Sequence, residues 1–137
     1  MTKEFQTAYN ITVKNEGYLS NHKNDLGGMT WKGIARNMHP NWVGWKEIDK
    51  ILKGGGGQAQ IKVNRSIEEM VQTFYFNEFW NKLRAQEINS EKVRNKLFDT
   101  AVNVGIKNAV KFNQRALRIA DDGIVSDTFI NALNQLR

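Results

Sequence analysis

The chain contains no cysteine, a single proline and two histidines. Without thiols, disulfide bridges, thiolate nucleophiles and zinc–thiolate centres are excluded, and nothing reports the redox compartment. His22 and His39 alone make a poor metal site, so neither a metal nor a cofactor is expected. No apolar run approaches the length that crosses a bilayer. The opening MTKEFQTAYNITVKNE lacks the apolar core of a signal peptide, and the product is therefore expected to be made in the cytoplasm without a recognisable export signal. The Gly54 to Gly57 run lacks the Gly-Lys-Ser/Thr ending and preceding strand of a phosphate-binding loop.

What is present is 137 residues, enough for one compact domain that buries roughly two-thirds of its unfolded surface. No internal repeat and no credible linker interrupts it, so a single domain over 1–137 is expected. A net charge of +6 favours an anionic partner: nucleic acid, a membrane surface or a phosphate-bearing cell wall. Charge alone does not choose among them, and no aromatic-basic motif for specific nucleic-acid recognition accompanies it.

The hydrophobic periodicity is helical almost throughout, which predicts a mainly α fold. Phe5, Ala8, Tyr9 and Val13 form one stripe, bringing a first helix to an end close to Glu16. Residues 17 to 30, rich in Gly, Asn, Ser and Asp, read as a loop or short β-hairpin. A short helix carrying Trp31, Ile34, Ala35 and Met38 is expected next, closed by Pro40. Trp45, Ile48, Ile51 and Leu52 suggest another, followed by a flexible connection from Gly54 to Asn64. Ser66 with Glu69 makes a capping box for a long helix through Leu83. Ser90 is placed to cap a helix through Val93, Leu97, Phe98, Ala101 and Val102, with Gly105 at its end allowing close backbone approach. A further helix runs to the Asp122-Gly123 turn, and the last starts at about Asp127.

Glu16, Asp25 and Thr30 carry the chemistry. On a continuous helix, nine residues would separate the two carboxylates by about 13.5 Å on opposite faces, so they converge only if the chain folds back between them. Gly17, Gly27 and Gly28 favour that reversal. Glycosidic cleavage needs a protonated carboxyl at the leaving oxygen, and a glutamate serves near neutral pH when desolvation raises its pKa. Tyr18 and Trp31 are candidate desolvating neighbours. A second carboxylate about 6.5–9.5 Å away leaves room for a water and gives inversion, whereas about 5–5.5 Å gives a covalent intermediate and retention. Residue types alone leave alternatives open: Glu16 as a solvated helix end, Asp25 as a turn residue, Thr30 as a helix cap. Asn103 is placed equally to bond a sugar amide or solvent, and Tyr75, Phe76, Phe79 and Trp80 fit a core better than a sugar platform.

Asn15-Glu16-Gly17-Tyr18, Asp25-Leu26-Gly27-Gly28-Met29-Thr30 and Gly33-Ile34 together resemble the signature of glycoside hydrolase family 108, lysozyme-like muramidases of phages and bacteria. The aromatic run Phe74 to Trp80 and the segment Phe98-Asp99-Thr100-Ala101-Val102-Asn103-Val104-Gly105 extend the likeness. Gln114 to Leu117 and Asp122-Gly123 resemble the family's peptidoglycan-binding-like C-terminal region, about 90–137, packed into the same unit. The resemblance implies a monomeric lysozyme-like helical domain that cleaves the β-1,4 bond between N-acetylmuramic acid and N-acetylglucosamine in peptidoglycan strands. It implies Glu16 as catalytic acid and, through a similar spacing in phage-type lysozymes, Asp25 as base and Thr30 as water-holder, with inversion. Tyr18, Gly28 and Asn103 are the implied substrate contacts. Without an export signal, such an enzyme would reach the wall through a holin-like pore, a dedicated route or lysis. The competing readings are a lytic transglycosylase, a non-catalytic wall-binding or secretion-assisting protein, and a nucleic-acid-binding helical protein.

Overall fold

A computed structural model describes residues 1–14, 19–20 and 28–136. The described residues form seven α-helices, a three-stranded antiparallel sheet, a π-helical segment and a 3-10 turn. They divide into two compact units: 1–12 with 75–137, and 13–74.

In the first unit, α1 (Lys3–Thr12) starts at Thr2, whose hydroxyl accepts from the Phe5 amide at 3.2 Å. It ends at Thr12, short of the end expected near Glu16. Ile11, Thr12 and Val13 are three successive β-branched residues that favour extended backbone, and the Thr12 hydroxyl donates to Asp99 Oδ1 at 3.1 Å. The helix packs on α5 (Glu91–Val104), where Ser90 caps as expected, its Oγ accepting from the Val93 amide. Phe5 meets Phe76, Trp80 and Phe98 edge-on at 5.1, 5.5 and 6.1 Å, the arrangement that aromatic quadrupoles favour. Tyr75 and Trp80 are buried, so they are core residues, as their aromatic character predicts.

Gly105 joins α5 to α6 (Ile106–Ala116). Nothing lies within 4 Å of where its Cβ would stand, so the expected close approach is absent; the residue is needed for its φ of 92°. The sixth helix ends at Ala116 rather than at the Asp122-Gly123 turn. Arg118 adopts a left-handed φ of 59°, the Ile119 amide reaches back to the Gln114 carbonyl, and the Arg118 amide to that of Arg115, a Schellman closure without glycine. The buried Gln114 amide then clamps the turn that follows, donating to Asp122 Oδ1 and accepting from the Gly123 amide, both at 2.9 Å. Ser126 caps α7 (Asp127–Asn134), which buries Phe129, Ile130 and Leu133.

In the second unit the expected helix over Trp31 to Met38 is replaced by strands. β1 (Leu19–Ser20), β2 (Thr30–Trp31) and β3 (Ile34–Ala35) pair in sequence order, with Leu19 opposite Trp31, Ser20 opposite Thr30, and Trp31 opposite Ile34. Lys32 and Gly33 both have positive φ, 46° and 82°, the two-residue turn whose twist matches a hairpin. That turn puts Trp31 and Ile34 in the core, the same pair that a helical i, i+3 stripe would bury. Thr30 is therefore a strand residue and caps no helix.

Helix α2 (Gly44–Lys53) buries Trp45 and Ile48. The glycine run behind it is bonded rather than free: Gly54 is the C-cap, Gly55 takes φ 88°, and the Gly56 and Gly55 amides return to the carbonyls of Ile51 and Leu52. Part of the expected loop is a helix, α3 (Gln58–Lys62), opened by Gln60 Oε1 accepting from the Gly57 amide and held by buried Ile61. The fourth helix, α4 (Arg65–Tyr75), begins before the expected Ser66 cap. Asn64 Oδ1 accepts from the Ile67 amide at 2.9 Å, which makes Asn64 the N-cap. Helical winding continues as a π-segment, Phe76–Trp80, closed by Asn81 N–H to the Phe76 carbonyl.

Candidate active site

Glu16, Tyr18 and Asp25 lie outside the described residues, and the site is defined by what holds the chain on either side of them. The segment holding Glu16 and Tyr18 leaves from Lys14, whose carbonyl accepts from Lys32 Nζ at 3.4 Å. It rejoins the described chain at Leu19, whose amide donates to Gln58 Oε1 at 3.1 Å and whose backbone pairs with Trp31. Gln58 is the first residue of α3, so the short helix absent from the periodicity supplies one of the two anchors.

The segment holding Asp25 departs after Ser20 and returns by Thr30, two residues directly opposite each other in the β1–β2 ladder. The chain thus runs in opposite directions at Ser20 and Thr30. Gly28 stands at the return with φ 66°, and a Cβ there would come within 2.8 Å of Asn37 Oδ1. The positive φ favours glycine, while the Cβ contact would be with the far end of the exposed Asn37 side chain. Thr30 is half-buried at the head of β2, and Gly28 and Thr30 stand two residues apart on the same return strand.

Beneath the hairpin, Trp31 is 1% exposed and its indole N–H has no hydrogen-bond partner among the described residues. The turn residue Lys32 is also buried, at 5% exposure, and its ammonium meets Glu68 Oε2 at 2.9 Å. The far end of the hairpin is braced by Arg36, which forms two 2.8 Å hydrogen bonds with Asp49 and lies 5.2 Å over the Trp45 ring. Those bonds hold the Asp49 carboxyl below the usual aspartate range and raise the Arg36 guanidinium. Trp45 Nε1 in turn donates to the His39 carbonyl at 2.8 Å, so the chain leaving β3 is fixed to α2.

Asn103 belongs to the other compact unit, exposed on α5, where its Nδ2 donates to Asp99 Oδ2 at 3.4 Å. Asp99 therefore joins Asn103 to the last residue of α1, Thr12. Sequence reading missed Lys32, Gln58 and Asp99 as organisers of these segments. The sequence carried no signal for them: lysine is not a usual left-handed turn residue, so the Lys32-Gly33 pair did not read as a hairpin turn. Among the described residues no cluster of His, Asp and Glu is arranged to hold a metal ion, and no helix is long and apolar enough to cross a membrane.

Comparison with known proteins matches this arrangement to a family. No functionally curated protein shows significant sequence similarity to the chain. Among solved structures, SagA of Brucella abortus superposes with a TM-score of 0.64 at 21% identity, covering 97% of this chain and 70% of that one. This likeness establishes the lysozyme-like, mainly α fold. The family model described as glycosyl hydrolase 108 matches residues 9–105, a span that takes in the last turn of α1, the hairpin and the helices through the Gly105 joint. The chain belongs to glycosyl hydrolase family 108.

Proposed function

We propose that the protein is a peptidoglycan muramidase that hydrolyses the β-1,4 bond between N-acetylmuramic acid and N-acetylglucosamine. In this reading Glu16 is the general acid at the leaving oxygen, Asp25 the base that activates water, and Thr30 a hydroxyl that helps hold that water, with inversion at the anomeric carbon. Tyr18, Gly28 and Asn103 contact the glycan. The whole chain, 1–137, acts as one monomeric lysozyme-like domain at the cell wall and needs no cofactor. The peptidoglycan-binding-like region at about 90–137 is part of it, and release by a holin-like pore, a dedicated route or lysis brings it to its substrate.

The observation that supports the reading best is the antiparallel pairing of β1 with β2, in which Thr30 stands opposite Ser20. Membership of a glycoside hydrolase family supports the same chemistry. Turbidity clearing of purified peptidoglycan by the wild type, Glu16→Gln and Asp25→Asn tests it. Removing the acid should abolish clearing, a loss of about 10³-fold or more, and removing the base should lower it at least about tenfold. Full activity of Glu16→Gln sinks the proposal, and an anhydro-sugar product in mass spectra of the released muropeptides would replace hydrolysis with transglycosylation.

A further inference from the structure

Asp99 on α5 is half-buried, and each of its carboxylate oxygens is engaged by a different element. The Thr12 hydroxyl, at the end of α1, donates to Oδ1 at 3.1 Å, and Asn103 Nδ2, one turn further along α5, donates to Oδ2 at 3.4 Å. All three residues belong to the same compact unit. An Asp–Asn pair four residues apart on a helix is by itself a weak surface contact that leaves both side chains free to turn. Here the hold from α1 fixes the carboxylate from outside the helix, so Asn103 meets an acceptor whose position does not depend on α5 alone.

A carboxylate only accepts hydrogen bonds, so the amide nitrogen of Asn103 must face it. The planar carboxamide then directs its carbonyl oxygen, Oδ1, away from Asp99. Asn103 is exposed, and Oδ1 takes no bond from any described residue. We infer that Asp99 is a positioning residue for glycan binding: it holds the Asn103 carboxamide with its carbonyl outward, so that Oδ1 accepts from the acetamido N–H of an N-acetylated sugar. This rests on the reading of Asn103 as a glycan contact. Left to rotate, an exposed asparagine would also present its nitrogen, opposing one N–H donor with another. Asp99 removes that orientation before the sugar arrives, and such pre-organisation raises affinity without a new contact to the ligand.

The test is a cycle of Asp99→Ala, Asn103→Ala and the double variant, with steady-state kinetics on soluble muropeptide oligomers. Each single variant should raise KM about three- to tenfold with kcat within about twofold, as expected for one hydrogen bond made alike in ground and transition states. The double variant should be no worse than Asn103→Ala alone, since Asp99 acts only through Asn103. An unchanged KM in Asp99→Ala, or effects that multiply in the double variant, overturns the inference. So does a fall in kcat in Asp99→Ala that persists without Asn103, because Asp99 would then serve the fold through Thr12. An NMR titration in the Glu16→Gln background, where the oligomers should survive, reads the contact without turnover. The side-chain amide signals of Asn103 should move as oligomer is added, and stationary signals overturn the inference whatever the variants do. An inactive wild type would refute the muramidase reading separately, while this titration, repeated on Asp99→Ala, still decides whether Asp99 sets the contact.

Discussion

Gly28 faces two demands that one substitution would violate together. Alanine there must hold a φ of 66°, at a cost of about 1 kcal/mol, and must push its Cβ into the Asn37 side chain, 2.8 Å away. Gly28→Ala is therefore expected to destabilise the protein by about 1–3 kcal/mol, read as a fall in Tm of about 3–10 °C by calorimetry. A Tm equal to wild type would mean that the return strand does not need this conformation. At this scale the sequence was informative where a residue type has few alternatives. The glycines before Thr30 pointed to a fold-back between Glu16 and Asp25, a stretch that lies largely outside the described residues. Lys32 was illegible, because a lysine is ordinarily a solvated surface residue and its burial depends on a glutamate 36 positions away.

Single elements were legible in proportion to their length. Helices of ten or more residues, such as α2 and α5, repeat their apolar stripe often enough to be read, and the cap of α5 at Ser90 follows from local hydrogen bonding. The hairpin was misread as a helix because two-residue strands hold no period: burying Trp31 and Ile34 satisfies a helix and a tight turn equally. Helix α3 offers one buried residue, Ile61, and hence no pattern at all. At the start of α4 two capping signals overlap, and the structure chooses Asn64 over Ser66. Asn64→Ala should cost about 1 kcal/mol in urea unfolding, whereas Ser66→Ala should change stability by no more than about 0.5 kcal/mol. The reverse order would restore the Ser66-Glu69 capping box.

For the whole molecule, periodicity conveyed the helical class and composition the net charge, and the charge bears on how the protein meets its substrate. A surplus of six positive charges attracts an anionic wall, and salt screens that attraction. The rate of clearing whole cell walls should therefore fall as sodium chloride rises from about 20 mM to about 0.5 M, while cleavage of short uncharged chitin-type or muropeptide oligomers changes much less. A wall-clearing rate that climbs steadily with salt would remove charge from the account of wall targeting. The two compact units were not foreseen, for a physical reason. One of their two boundaries falls between Phe74 and Tyr75, within α4, where no glycine or proline could announce it.

The winding just past that boundary has its own implication. Tyr75 and Trp80 are both buried though five residues apart, a spacing that an α-helix would place about 140° around its axis. The wider turn over Phe76–Trp80 accommodates one residue more than a regular helix needs, and so brings both rings to the same side. Chain length in this stretch is consequently as constrained as residue identity. Removing a single exposed position such as Asn77 would tighten the coil and swing every later side chain to a new bearing.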